Sequence, residues 1–157
     1  MKIIARFVGI LGFFVSCFAW SQSAPDVSFD SFDQNKKIKL SALKGKLVYV
    51  DFWASWCGPC RNSMPLYEEI YNDYKHKGFV LLAVNLDQVE KDALRFMDTL
   101  NVSYPIVKGS DDIAKAFGVK AMPSSFLIDR NGYIVHRHLG FRKGDELKVR
   151  QWIEELL

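Results

Sequence analysis

Between Leu47 and Trp53 the chain reads Leu-Val-Tyr-Val-Asp-Phe-Trp, β-prone and apolar apart from one aspartate. A strand with one wet face alternates apolar and polar residues. This one does not, so both of its faces must be covered. A sheet layered between helices does that, and the neighbouring segments supply the helices. Pro59 to Lys77 puts Met64, Tyr67, Tyr71 and Tyr74 on one stripe ahead of Gly78. Phe79 to Val84 repeats the buried-strand pattern. Glu90 to Leu100 predicts a helix with Ala93, Leu94, Phe96, Met97 and Leu100 as its apolar positions. Tyr104 to Val107 reads as extended and Asp111 to Phe117 as helical. Ser124 to Ile128 and Tyr133 to Leu139 flank Asp129-Arg130-Asn131-Gly132, whose Asn-Gly step signals a tight hairpin. A closing helix over Gly144 to Leu156 carries Val149, Trp152, Ile153 and Leu156 on one face. The order of these elements is α/β: a mixed sheet with helices on both faces.

Upstream, Val27 to Leu40 predicts two short strands around Asp33-Gln34-Asn35, then a turn of helix over Ser41 to Lys44. Residues 21–26 read as a flexible tether. Before them lies the sharpest break in composition. Lys2 and Arg6 precede an apolar run, Phe7 to Ala19, shorter than the ~20 residues a membrane-spanning helix needs. The expected organisation is a leader over residues 1–23 followed by one domain over 24–157. Ala19 and Ser21 suit cleavage before Gln22; Ser21 and Ser23 suit cleavage before Ala24. An uncleaved anchor and lipid attachment at Cys17 are the alternatives, Phe14 being a poor residue for the second. A chain of 157 residues has room for a single sizeable core. Its formal charge of +3 nearly vanishes once Lys2 and Arg6 are set aside, so nothing points to nucleic acid.

Without the leader, the chain keeps two cysteines, Cys57 and Cys60. A single close pair encloses too short a loop to stabilise an exported domain much, which points to chemistry instead. The pair lies where the first buried strand meets the long helix. At a helix start, free N–H groups and the helix dipole favour a thiolate, the species that attacks a disulfide. Cys57 is therefore the expected nucleophile. Cys60, a turn further in, is expected to be more buried and to resolve the mixed disulfide. Pro59 suits the first helical turn. Half of a zinc site is the competing reading, but the only further ligands of that kind are His76, His136 and His138. His136 and His138 alternate along a predicted strand and should share a face. No metal or cofactor is expected. Asp51 is expected to be at least partly buried, with its proton affinity raised, and so able to exchange a proton with Cys60. An exposed aspartate at a strand edge is the alternative.

The stretch Asp51-Phe52-Trp53-Ala54-Ser55-Trp56-Cys57-Gly58-Pro59-Cys60-Arg61, with Met64-Pro65, resembles thioredoxin and the TlpA/ResA-like exported thioredoxins. Phe117 to Asp129, with Gly132 after it, extends the likeness, which covers about residues 25 to 157. The resemblance implies a thioredoxin fold with an amino-terminal β-hairpin extension and a central insertion between Glu90 and Val107. It implies a thiol–disulfide oxidoreductase of the periplasm or cell envelope, monomeric, acting on disulfides of exported proteins and recharged by a membrane thiol donor. It makes Pro123 a cis proline facing the dithiol, Met122 a backbone edge for substrate and Trp56 the aromatic beside the site. Pro65 would match the family's helix-kinking proline. A net oxidant or isomerase, or a client-binding module with incidental redox activity, are the other functions compatible with it. Two departures stand out. Exported relatives often carry Asn where Asp51 lies, and Glu where Ser63 lies.

Overall fold

In the computed structural model, residues 22–32 and 36–157 are described; residues 1–21, with Cys17 and most of the expected leader, and residues 33–35 lie outside them. Eight strands form one sheet, in the order β1-β8-β7-β4-β5-β6-β2-β3. In chain order these are β1 (Gln22–Ser23), β2 (Ser28–Ser31), β3 (Lys37–Lys39), β4 (Leu47–Trp53), β5 (Phe79–Asn85), β6 (Ile106–Lys108), β7 (Ser124–Ile128) and β8 (Tyr133–Leu139). The helices are α1 (Gly58–Tyr74), α2 (Glu90–Met97), α3 (Asp111–Phe117) and α4 (Asp145–Leu156). β4, β5 and β6 run parallel, while β7 lies antiparallel to β4 and β8 to β7. This is a thioredoxin-like fold.

Every residue of β4 is buried, as its unbroken apolar pattern requires. Alternation divides it between two layers. Leu47, Tyr49 and Trp53 point to the side covered by Met64, Tyr67 and Ile70 of α1, Ala93 and Phe96 of α2, and Val149 and Ile153 of α4. Val48, Val50 and Phe52 point to the other side, where Phe117 of α3 and Leu40 close the core. Phe52 meets Phe117 and Phe126 edge-on, at 5.2 and 5.8 Å between ring centres. Such pairs add ~1 kcal/mol each beyond the area they bury.

The predicted amino-terminal hairpin is present as β2 and β3, docked on β6 at the sheet edge. The central insertion holds α2 and β6. Three details differ from the sequence reading. Gln22 and Ser23, read as tether, pair with Ile134 and Tyr133 of β8 and so form an edge strand. The long helix ends at Tyr74 and continues to Lys77 as a tighter 3-10 turn, closed by Gly78 at φ +87. The second helix stops at Met97, and Leu94 faces outward rather than into the core.

Candidate active site

The chain leaves β4 at Trp53 and enters α1 at Gly58, and the residues between them form the dithiol loop. Cys57 is the N-cap of α1: its Sγ accepts the backbone N–H of Cys60 at 3.3 Å, and Pro59 occupies the first turn. The two cysteines form a disulfide. Cys57 is 4% exposed and Cys60 fully buried, so Cys57 is the less enclosed of the two. Beside it, Gly58 is open: a Cβ built there meets nothing within 4 Å.

Polar groups at the ends of β4 and β5 hold this loop in place. Asp87 accepts the backbone N–H and the hydroxyl of Ser55, each at 2.9 Å. Asn85 Nδ2 donates to the same carboxylate at 2.7 Å. Arg61 donates to the Ser55 carbonyl at 2.8 Å, and its guanidinium lies over the Phe96 ring. Sequence reasoning did not single out Asp87, Asn85, Ser55 or Arg61. The available signal was the polar pair Asn85 and Asp87 closing a buried parallel strand, because functional groups in α/β sheets gather at such carboxyl ends.

The Met122–Pro123 peptide bond is cis, as the resemblance implies. Phe52 pairs with Ser124, so Pro123 sits at the end of the sheet from which β4 runs toward Cys57. The Pro123 carbonyl accepts the N–H of Gly140, and Ser124 Oγ donates to the Ala121 carbonyl at 2.6 Å. Met122 packs, half-buried, on the cluster that contains Cys57 and Cys60. Trp56 is 68% exposed and so is a surface aromatic, not core.

Asp51 is fully buried on the α1 side of the sheet. The Ser125 hydroxyl donates to its Oδ1 at 2.6 Å. Its Oδ2, like the Trp53 indole N–H, has no hydrogen-bond partner among the described residues. Burial pushes the Asp51 carboxyl up to about 7, and the Ser125 hydrogen bond works in the opposite direction. Burial also raises the Tyr49 and Tyr67 hydroxyls nearby, which lie 3.2 Å apart. Ser63, where relatives often carry Glu, is buried and donates to the Cys60 carbonyl at 3.1 Å. It therefore brings no acid to the site.

His136 and His138 share a face, as expected, and that face meets α4. His136 stacks on Trp152 at 4.4 Å between ring centres, and His138 bonds Asp145 at 3.1 Å. Burial lowers the proton affinity of His136. Both histidines join the last strand to the last helix.

A helix-capping cysteine disulfide-bonded to a buried one, at the end of a thioredoxin-like sheet beside a cis proline, defines a thiol–disulfide oxidoreductase. Over residues 20–153 the chain matches the Redoxin family, and it belongs to that family. It is 31% identical over 131 residues to the thiol–disulfide oxidoreductase ResA of Geobacillus thermodenitrificans, covering 83% of this chain and 75% of that one. A Chlorobium tepidum structure described as a thiol:disulfide interchange protein DsbE superposes with a TM-score of 0.82. It is 40% identical, over 87% of this chain and 96% of that one. The exposed lipoprotein thioredoxin Etrx1 of Streptococcus pneumoniae gives a TM-score of 0.72 at 31% identity. That match covers 84% of this chain and 100% of that one.

Proposed function

We propose that this chain reduces disulfides of exported, cell-envelope proteins, apocytochrome c being one candidate client, through Cys57 and Cys60. The carrying observation is the Gly58-Pro59 spacer inside the capped dithiol, the pair found in reducing thioredoxins. In the reaction, the Cys57 thiolate attacks a client disulfide, forms a mixed disulfide and releases one client thiolate. Cys60 then attacks the Cys57 sulfur, which frees the second client thiolate and leaves the Cys57–Cys60 disulfide. Two electrons pass from the dithiol to the client, and a membrane thiol donor returns them. Asp51 takes the proton that Cys60 sheds, since a carboxyl balanced near neutrality can both accept and release it. Trp56, Met122 and Pro123 border the approach to Cys57, and the Met122 backbone is suited to pairing with an extended client segment.

Export is supported by the basic and apolar leader and by the exposed lipoprotein among the similar structures. Equilibration with glutathione buffers tests the direction of transfer. A dithiol that stays oxidised until the buffer is strongly reducing is expected. Substantial reduced protein in a mildly oxidising buffer would make the chain a net oxidant or isomerase.

A further inference from the structure

We propose that Ser125 is the positioning residue of the site, the one group that holds Asp51 as a usable base. This rests on the role given to Asp51 above.

The geometry is specific. Asp51 on β4 pairs with Ser125 on β7, and the Ser125 hydroxyl donates to Oδ1 at 2.6 Å, within the short range of charge-assisted O–H···O⁻ bonds. A serine hydroxyl has a single proton to donate, and here it is committed to the carboxylate. No other element around Asp51 donates a hydrogen bond to it among the described residues. On its own strand is the Tyr49 hydroxyl, on α1 are Cys60 and Tyr67, and ahead of β6 is Tyr104, whose hydroxyl donates to the Met64 carbonyl. The facing residue on β5 is Ala83. Beyond Ser125 on β8 lies His138, which is occupied by Asp145 at the start of α4. Among the described residues no Lys, Arg or His acts on the Asp51 carboxyl, so Ser125 alone opposes the effect of burial.

Ionised Asp51 thus depends on one hydroxyl. With that donor gone, the buried carboxylate would have no partner, and its proton would bind more tightly. Asp51 would then stay protonated at neutral pH and be unable to accept a proton from Cys60. The Tyr49 and Tyr67 hydroxyls lie close to the same serine, so the donor sits within a small buried polar cluster rather than in a purely apolar wall.

The test is a carbon-13 carboxyl titration of full-length Ser125→Ala, Ser125→Thr and the parent, alongside the pH profile of mixed-disulfide resolution. Losing a hydrogen bond to a charged group should move the Asp51 midpoint up by about one pH unit or more in Ser125→Ala. Resolution at neutral pH should then fall about five-fold or more, recovering as pH rises, whereas Ser125→Thr should keep the parent profile. In an Asp51→Asn background, Ser125→Ala should leave the profile where it was. An unmoved or lowered Asp51 midpoint in Ser125→Ala would overturn the proposal. A raised midpoint with an unchanged resolution profile would uphold the Ser125–Asp51 link and instead remove Asp51 from the reaction.

Discussion

Asp87 grips Ser55 at two points, through the backbone N–H and through the hydroxyl, both at 2.9 Å. This ties the end of β5 to the loop that carries Cys57, across a break of 32 residues in sequence. The same carboxylate takes a bond from Asn85, so the loop is held by a charged acceptor with its partners already in place. Asp87→Ala would leave the part-buried Ser55 N–H without an acceptor, at a cost of about 1–3 kcal/mol. Urea unfolding should register that loss. Client reduction should fall as well, because Cys57 loses its fixed position. Unchanged unfolding and unchanged turnover together would show that the grip is dispensable.

Gly109 sets how closely the next strand approaches that anchor. Its N–H donates to the Asn85 carbonyl at 2.8 Å. A Cβ at this position would come within 2.7 Å of the Leu86 and Val84 side chains and 2.9 Å of the Asn85 carbonyl oxygen. The Leu86 tip can turn away; the stiff, fully buried Val84 and the carbonyl cannot without moving the strand and, through Asn85, Asp87. Gly109→Ala should therefore destabilise the fold by about 1–3 kcal/mol. It should also weaken protection of the Ser55 amide against hydrogen exchange. A variant of parental stability would mean that the packing of β6 against β5 yields easily.

The exposure of the two sulfurs divides their roles. Cys57 caps the helix and keeps slight exposure, whereas Cys60 is fully enclosed. Cys60→Ser should accumulate mixed disulfides with clients through Cys57, detectable as reducible adducts on a gel. Cys57→Ser should trap few or none. Trapping through Cys60 alone would reverse the assignment.

The elements legible in the sequence were those with long-period patterns. The doubly buried β4, the stripe of α1 and the Asn131-Gly132 hairpin each declare themselves within a dozen or so residues. Asp51 was legible for the opposite reason, as a charge inside an apolar run. Its partner was not: a serine in a strand carries no signal, and Ser125 lies 74 residues away in sequence. Asp87 was hidden in the same way, because its role exists only once β5 is laid beside β4. Gln22 and Ser23 have no apolar pattern, since this two-residue edge strand is held by its pairing with β8 and by the Arg137 guanidinium donating to the Gln22 side chain, not by apolar burial. Leu94 misled because helical spacing shows which positions are apolar but not how wide a face the core covers.

Asp51→Asn separates stability from chemistry. The folded carboxyl titrates at about 7, against a model-peptide value of 3.8. Between those two values the folded state holds a proton that the unfolded chain has released, so rising pH favours unfolding. The parent should thus lose stability from about pH 4 to about pH 7 and stay level above that. Asparagine fits the same space and has no proton to lose, so the variant should lack this slope. At about pH 8 it should be the more stable protein by a few kcal/mol, with the gap closing toward about pH 4. Urea midpoints across that range measure it, and parallel pH curves would mean that folding leaves the proton affinity of Asp51 unchanged. Turnover should move the other way. With no group to receive the Cys60 proton, resolution of the mixed disulfide should slow by about ten-fold or more near neutral pH. The first attack by Cys57 should be little changed. A variant that is more stable yet resolves at the parental rate from about pH 6 to about pH 9 would assign that proton to solvent.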